Sequence, residues 1–552
     1  MSVAGADTLD RSVAGRLALW GILVAAYLAS VISGLSRSLG IDEVWVANSI
    51  LASSWKDCLY HGTWIQSTPP GFLAVVRGIT SLLPPSNVAF HIFGLSLGLA
   101  SLLLFARVTS TSFSFPVSYL ATALFAFSPT FLQYSDTLKQ YIAEVFFCCL
   151  MLAASRAFEV SQARWLWLWC TMAVCSLAFA YGTIFVIAGF IVSYGAVLLT
   201  SQSGSPTTSL PSRIRNILTG PESRGFRNLL IFSGVVGATL VTLYVLCIRP
   251  NTSPALYRYW KSEYGLRPTQ LLRGLYELLL RLCEYLPTAS YVLTQRLGRV
   301  LVLTLSALAI GVGLTLWARR GFATAPRILG AVVVIAALMC SSLFSLYPFE
   351  ARTGLFVLPL FVYLVAVLVQ AFRSSLATLR AKYIPFAFDT LCLLLGVFAG
   401  ITACYSQIFN HADAVGFQSA CRYFRRSGSA DDFLYVHASA REGFKLYSKL
   451  DGPVLMRTAL GDSAYPCCVR GQEWPLGVDP SRARRDLLEK LPVDFRQKVF
   501  LIHAGWLGFW KKIGQNEYQI QTEALISLGC RFVSASPPGA VMVSSFDCSA
   551  RP

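Results

Sequence analysis

The sequence predicts an α-helical polytopic membrane protein that ends in a small α/β domain. Three observations predict it. Apolar residues fill 55% of the 552 positions and charged ones only 13%, about half the charge of an average soluble protein. The apolar residues gather in runs of about 20, the length that crosses a bilayer. From residue 411 onward the runs shorten, charges rise, and strand patterns alternate with helical ones.

About eleven runs qualify as spans: 17–36, 88–106, 114–132, 140–156, 164–180, 182–200, 228–248, 300–318, 327–346, 354–372 and 384–405. Only the Tyr181-Gly182 break separates the fifth from the sixth. The first lacks an Ala-x-Ala cleavage site and reads as a retained helix, not a signal peptide. Lys and Arg set the orientation. Arg11, Arg16, Arg107, Arg156, Arg164, Arg213, Arg215, Arg224, Arg227, Arg319, Arg320, Arg327, Arg373, Arg380 and Lys382 all fall on one side, the cytoplasmic one by that rule. The N-terminus is then inside, and an odd number of spans puts residues 411–552 outside, in the periplasm or beyond the cell. The net charge of +18 is thus a topology signal with membrane lipid as its anionic partner, and nucleic acid is not called for.

The acids sort the other way. Asp42, Glu43, Asp57, Asp136, Glu144, Glu263, Glu277, Glu284 and Glu350 fall in outer loops or at outer helix ends. Their gathering points to a site there, against the plainer reading of a solvated face. Two outer loops, 37–87 and 249–299, are about 50 residues each, a length that commonly carries function. In the first, Val44–Leu59 and Gly71–Leu83 read as amphipathic helices on the membrane. In the second, Tyr257–Lys261 and the amphipathic run Gln270–Leu286 fit interfacial anchoring, and Trp260 is read as an anchor before a substrate contact.

Residues 411–552 hold strand patterns at Phe433–His437, Val499–His503 and Val541–Ser545. Helical patterns lie at Arg441–Leu450, Ser481–Leu491 and Glu517–Leu528. Cys421, Cys467, Cys468, Cys530 and Cys548 lie here; if this part is exported they can pair, with one thiol left over. Their partners cannot be assigned from sequence. The cysteines within apolar runs act as small hydrophobes. The fifteen cysteines contain no CxxC and no zinc spacing.

Candidate chemistry centres on Asp42-Glu43, just past the first span. Carboxylates at the mouth of a membrane helix are costly to desolvate and are usually there for chemistry. The competing reading makes them caps of an interfacial helix. The second outer loop is a tight turn with Asp136 and Lys139 three apart, sharing a face if the fourth helix begins there. Lys139 then points where a phosphate head group sits; a plain Asp–Lys surface pair is the alternative. In Tyr347-Pro348-Phe349-Glu350-Ala351-Arg352, an arginine at a helix start opposes the dipole and needs a partner, Glu350 or an anionic ligand. His61 can touch phosphate, or be an interfacial His without a role. No GxxxxGK[ST] loop is present, which argues against an ATP-driven pump unless a partner supplies that loop, and no HExxH is present, nor do the five histidines cluster.

Asp42-Glu43 after the first span, Gln66-Ser67-Thr68-Pro69-Pro70-Gly71-Phe72, Ser128-Pro129 with Tyr134-Ser135-Asp136 and Lys139-Gln140-Tyr141, and Tyr347…Arg352…Leu358-Pro359 together resemble the GT-C membrane glycosyltransferases. The resemblance covers about residues 15–405. It is nearest to the group of rhizobial lipopolysaccharide-core galacturonosyl transferases, aminoarabinose transferase and protein O-mannosyltransferases. It implies a GT-C domain over 1–410, a separate extracytoplasmic domain over 411–552, and a bacterial plasma-membrane location. It implies transfer of a sugar from a polyprenyl-phosphate donor to a hydroxyl on a glycan, lipid or protein, in cell-envelope synthesis. Asp42 would be general base with Glu43 beside it. Lys139, Arg352 and Tyr141 would hold the donor phosphate, and His61, Gln66, Asp136 and Glu350 would line the substrate loop. No cofactor is required; a divalent metal on Asp42, Glu43 or Asp136 is the one left open. A single base without a covalent intermediate would invert the anomeric carbon.

Two rival functions make different demands. A secondary transporter needs internal repeats and broken helices at mid-membrane; no repeat is found, and the acids sit at one face. A non-catalytic polysaccharide-assembly protein has no need of Asp42.

Overall fold

The computed structural model describes residues 4–60, 68–158, 163–201, 223–252, 326–377 (without 345, 349 and 351), 383–410, 416–460 (without 438 and 453–455), 480–504 (without 493 and 494), 510–536 and 541–549. His61, Gln66, Cys467, Cys468, Trp260, the run Gln270–Leu286 and the span at 300–318 lie outside the described residues.

The protein is an integral membrane protein built mainly of helices. Five described helices are long and apolar enough to cross a membrane: Val13–Ser36, Asn87–Ser112, Arg224–Asn251, Leu355–Ala377 and Tyr383–Tyr405. A sixth candidate is the pair Phe115–Ala126 and Pro129–Ser135, bent by 58°. This pair corresponds to the run 114–132. It breaks because Pro129 has no N–H to give and disfavours helix in the residue before it. Shorter apolar helices include Tyr141–Ser155, Leu166–Phe179, Thr183–Ala196 and Arg327–Leu343. The Tyr181-Gly182 break separates two of these, as expected. Helices pack around an aromatic centre in which Phe125 lies 4.4 Å from Phe131 and 4.6 Å from Phe105, centroid to centroid. Leu17, Ile22, Val241, Phe386 and Ile401 stay exposed, as lipid-facing positions do when no water must be kept out.

The first connecting segment folds as Ile41–Ile50, Trp55–Leu59 and Pro70–Leu82. The expected single helix over 44–59 is thus two helices. Ser54 interrupts it, turning extended and accepting a hydrogen bond from Asp57 N as an N-cap.

Near the C-terminus lies a five-stranded sheet: β1 (Phe433–Val436), β2 (Arg457–Leu460), β3 (Lys498–Ala504), β4 (Arg531–Ala535) and β5 (Val541–Asp547), in the order β2-β1-β3-β5-β4. β1 is parallel to β2 and β3, and β5 runs antiparallel between β3 and β4. Every residue of β1 is buried, as expected of a strand covered on both faces. A disulfide joins Cys530, just before β4, to Cys548, just after β5. Cys421 is a buried free thiol. One apolar cluster joins this part to the first connecting segment, with Leu39, Val44, Ile50 and Phe72 packed among Phe417, Phe424, Val436 and Tyr447.

The sheet core holds a stacked pair of histidines. His503 in β3 is fully buried and stacks on His437, which follows β1, at 4.2 Å between centroids. Burial first, and then His437, hold the His503 imidazole well below its ordinary range. It is therefore neutral when folded, while the unfolded chain takes up a proton below about pH 6.5. Stability is full above that value and lost below it, by about 1.4 kcal/mol per pH unit for this one group. Melting curves of the full chain between pH 5 and 7.5 should show the slope, and His503→Gln should flatten it. An identical slope in the variant excludes His503 as the cause.

Candidate active site

The helix Ile41–Ile50 starts after Gly40, so Asp42 and Glu43 both stand in its first turn. They point to different places. The Asp42 side chain is 47% exposed, whereas Glu43 is 4% exposed.

Asp42 Oδ2 accepts a hydrogen bond from Arg352 Nη1 at 3.2 Å, and Arg352 Nε donates to Glu350 Oε2 at 2.7 Å. Arg352 stands in a turn before the helix Leu358–Ala377. Thr353 pins that turn: its Oγ1 donates to Pro348 O at 2.6 Å and accepts from Glu350 N at 3.1 Å, while Tyr347 OH donates to Thr353 O at 3.1 Å. The partner that an arginine at a helix start requires is thus a pair of carboxylates. Burial works against the guanidinium charge, but the oxygens of Tyr141, Glu350 and Asp42 outweigh it and keep Arg352 cationic.

Lys139 reaches the same place from the turn between Pro129–Ser135 and Tyr141–Phe158. It is half-buried. Burial pushes its ammonium below the ordinary lysine value and Asp42 draws it back up. Among the described residues no hydrogen bond or ion pair is made by its ammonium. Tyr134 and Tyr141 complete the wall, edge to face with centroids 5.2 Å apart. The structure thus brings Asp42, Glu350, Arg352, Lys139 and Tyr141 to one cluster.

Glu43 belongs to a second, buried node. Arg37 grips it with Nη1 to Oε2 at 2.7 Å and Nη2 to Oε1 at 2.9 Å. Gly40 N donates to Oε2 at 2.8 Å and Leu138 N to Oε1 at 2.7 Å, and His91 Nε2 lies 3.2 Å from Oε1. The bond to Gly40 N is the reach-back of a third-position glutamate to the cap residue, so capping belongs to Glu43 and not to Asp42. Burial alone would raise its carboxyl; Arg37 and His91 more than offset this and hold it well below the usual carboxylate range.

Asp136 joins this second node and does not face Lys139. The fourth helix begins at Tyr141, so residues 136–140 are not helical and the two side chains do not share a face. Arg37 Nη2 donates to Asp136 O at 2.9 Å and to Thr137 Oγ1 at 3.1 Å, and its Nε lies 3.9 Å from Asp136 Oδ1. Burial pushes the Asp136 carboxyl up to about 6, with Arg37 opposing. The carboxylate rests on Gly34, where an added Cβ would meet its Oδ2 and force it to move.

Arg37, His91 and Thr353 were not among the residues singled out from sequence. Arg37 had a signal: it stands at the opposite end of the first span from Arg11 and Arg16, against the positive-inside pattern. His91 and Thr353 had none. Among the described residues no group of three or more His, Cys, Asp or Glu is arranged to hold a metal ion. Asp42 is turned to Arg352, while Glu43 and Asp136 are turned to Arg37.

An apolar cavity of about 260 Å³ is lined by Leu177, Tyr181, Ile184, Phe185, Leu243 and Tyr347 among others. Phe185 stacks on Phe356 and meets Tyr347. The cavity wall is thereby tied to the turn that carries Arg352.

No protein-family model matches the sequence, and no curated protein does. Solved structures match over nearly the whole chain. ArnT from Cupriavidus metallidurans in the apo state is 11% identical, covering 97% of this chain and 98% of that one with a TM-score of 0.50. ArnT from the same organism bound to undecaprenyl phosphate is 12% identical, covering 96% and 97%, with a TM-score of 0.49. The chain has an ArnT-like fold.

Proposed function

We propose that the protein transfers a sugar from a polyprenyl-phosphate donor to a hydroxyl acceptor on the outer face of the membrane. The observation that carries this reading is the cluster itself. A half-exposed carboxylate, Asp42, stands with two cations, Arg352 and Lys139, and the turn that carries Arg352 is tied through Tyr347 to an apolar cavity. The ArnT-like fold supports the same reading.

The chemistry follows from these parts. The acceptor hydroxyl attacks the anomeric carbon and gives its proton to Asp42. The bond from that carbon to the phosphate oxygen breaks, and the leaving phosphate gains charge beside Arg352 and Lys139. Attack opposite the leaving group inverts the carbon. The isoprenoid lies against the apolar cavity. Glu350 orients Arg352, and Tyr141 lies against the donor head group. Because the leaving phosphate belongs to a lipid, no nucleotide-binding fold is needed.

The topology belongs to the proposal: eleven spans, the N-terminus in the cytoplasm, and residues 411–552 outside as a second domain. The disulfide Cys530–Cys548 fits an oxidising compartment. Reporter fusions at Gly416 and Ser205 should report outside and inside respectively. A cytoplasmic Gly416 overturns the location of the site.

Lys139→Ala and Arg352→Ala should each weaken donor use by about 1.5–3 kcal/mol, the worth of a hydrogen bond to a charged group. They should differ in kind. Lys139→Ala raises donor KM alone, whereas Arg352→Ala also lowers kcat, because Arg352 touches Asp42. Arg352→Lys should recover only part, since an ammonium cannot give two parallel bonds. Wild-type donor affinity in both alanine variants removes the phosphate assignment. The function as a whole is tested by lipid extracts from cells with and without the gene. Loss of the gene should leave polyprenyl-phosphate sugar accumulated and one envelope glycan incomplete. An unchanged extract and glycan contradict it.

A further inference from the structure

The chain between the first span and Asp42 is short, and it is held from the far end of the sequence. Tyr447, fully buried in the helix Arg441–Leu450, accepts a hydrogen bond from Leu39 N at 2.8 Å and donates one to Asn87 Oδ1 at 2.8 Å. Asn87 Nδ2 in turn donates to Ser36 O at 3.1 Å and to Gln418 Oε1 at 2.9 Å. Gln418 N donates to Ser38 Oγ at 3.1 Å. Residues 36, 38 and 39 are therefore each tied, and two of the three ties come directly from the C-terminal part. The approach is close: a Cβ on Gly416 would collide with Ser38 Cβ. Apolar packing continues past the joint, since Leu39 and Val44 share a cluster with Phe417, Phe444 and Tyr447.

We propose that the C-terminal part is a positioning element of the active site, with Tyr447 setting where Asp42 stands through Leu39 and Asn87. This rests on the reading of Asp42 as general base. The physical argument is one of lever and length. Leu39 precedes the cap residue Gly40, so the direction in which the helix Ile41–Ile50 leaves the membrane part is fixed at Leu39 N. A helix mis-set by about 1 Å at its first turn carries the carboxylate out of line with the acceptor hydroxyl, enough to cost about a hundredfold in rate. Asp42 also has to reach Arg352, which is held separately by Thr353 and Glu350, so the two halves of the cluster meet only if the helix start is set. Tyr447 never touches substrate on this account; it acts through Asp42.

The test uses the full chain in nanodiscs. Tyr447→Phe should speed hydrogen exchange of the Leu39 amide about tenfold, the effect of losing one buried acceptor, while exchange in β1 and β3 stays unchanged. With a polyprenyl-phosphate sugar and its acceptor, kcat should fall about tenfold or more with donor KM unchanged. Adding Tyr447→Phe to Asp42→Asn should slow the reaction no further. The proposal is overturned by unchanged exchange at Leu39, by unchanged kcat in an active enzyme, or by a double variant slower than Asp42→Asn alone. Faster exchange throughout the C-terminal sheet also overturns it, since Tyr447 would then hold only its own fold. Ser38→Ala removes a single bond at the same joint and should move exchange and kcat the same way by a smaller factor, which keeps the test decisive if Tyr447→Phe does not fold. The exchange measurement needs no sugar transfer. A wild-type protein that transfers nothing refutes the enzymatic reading, whereas an active enzyme with an unmoved Leu39 refutes the positioning role alone.

Discussion

Asp42→Asn should give a folded protein that still binds the lipid-linked donor and transfers sugar about a hundredfold to ten-thousandfold more slowly, the usual cost of removing a general base. The amide has the size of the carboxylate and still accepts the hydrogen bond from Arg352 Nη1. It cannot take a proton. The site is 47% exposed, so the exchange leaves no buried charge stranded. Arg352 keeps Glu350 as its counter-ion. Helix capping does not confuse the outcome, because the bond to the cap residue's N–H comes from Glu43. If the acid at 42 merely favoured the helix start, asparagine would serve nearly as well and the variant would be almost silent. Purified protein in nanodiscs, given donor and acceptor, separates the two, and normal turnover by the Asn variant ends the case for Asp42 as base.

Much of this arrangement could be read from the chain, for identifiable reasons. Long apolar runs announce spans by length alone, and Tyr181-Gly182 and Ser128-Pro129 mark breaks by backbone chemistry that context rarely overrides. Strands β1, β3 and β5 were visible because strands covered on both faces are continuous apolar runs. Strands β2 and β4 were not: they are short edge strands, and β4 is exposed at every residue, so neither has an apolar pattern to show. The site divides the same way. Asp42, Lys139 and Arg352 stood out as charges in unfavourable places, which is a property of the sequence. The division of labour between Asp42 and Glu43 was not legible, because several of the partners that settle it, Arg352 on Asp42 and His91 and Leu138 on Glu43, lie far along the chain. Local reasoning also failed at Asp136 and Lys139. Three residues apart implies one face only inside a helix, and this helix starts after both. The fold likeness to ArnT comes with only 11% identity.

Glu43→Gln should have an effect as large as Asp42→Asn but of another kind: the protein loses stability around the first connecting segment before it loses chemistry. Oε2 receives Arg37 Nη1 and Gly40 N; Oε1 receives Arg37 Nη2 and Leu138 N, with His91 alongside. Both oxygens are used as acceptors. An amide must turn its NH2 toward one of these pairs, so two donors would face two donors in a site that water does not reach. Removing the charge also leaves Arg37 without its bidentate counter-ion, and breaking a buried pair from one side costs about 3–5 kcal/mol. The same node ties the helix of Asp42 to Leu138, next to Lys139, so its loosening releases two of the three loops that build the cluster. The pH dependence has a definite sign. A carboxyl held below its ordinary value when folded stabilises above about pH 4.5 and loses that contribution as pH falls toward its lowered value; in Glu43→Gln this acid-limb contribution disappears. Thermal unfolding in detergent, with hydrogen exchange at the Gly40 and Leu138 amides, reads the loss directly. A Glu43→Gln protein with wild-type melting temperature and unchanged exchange at those amides would show that the node does not hold the loops together, and Glu43 would return to being a candidate for the chemistry itself.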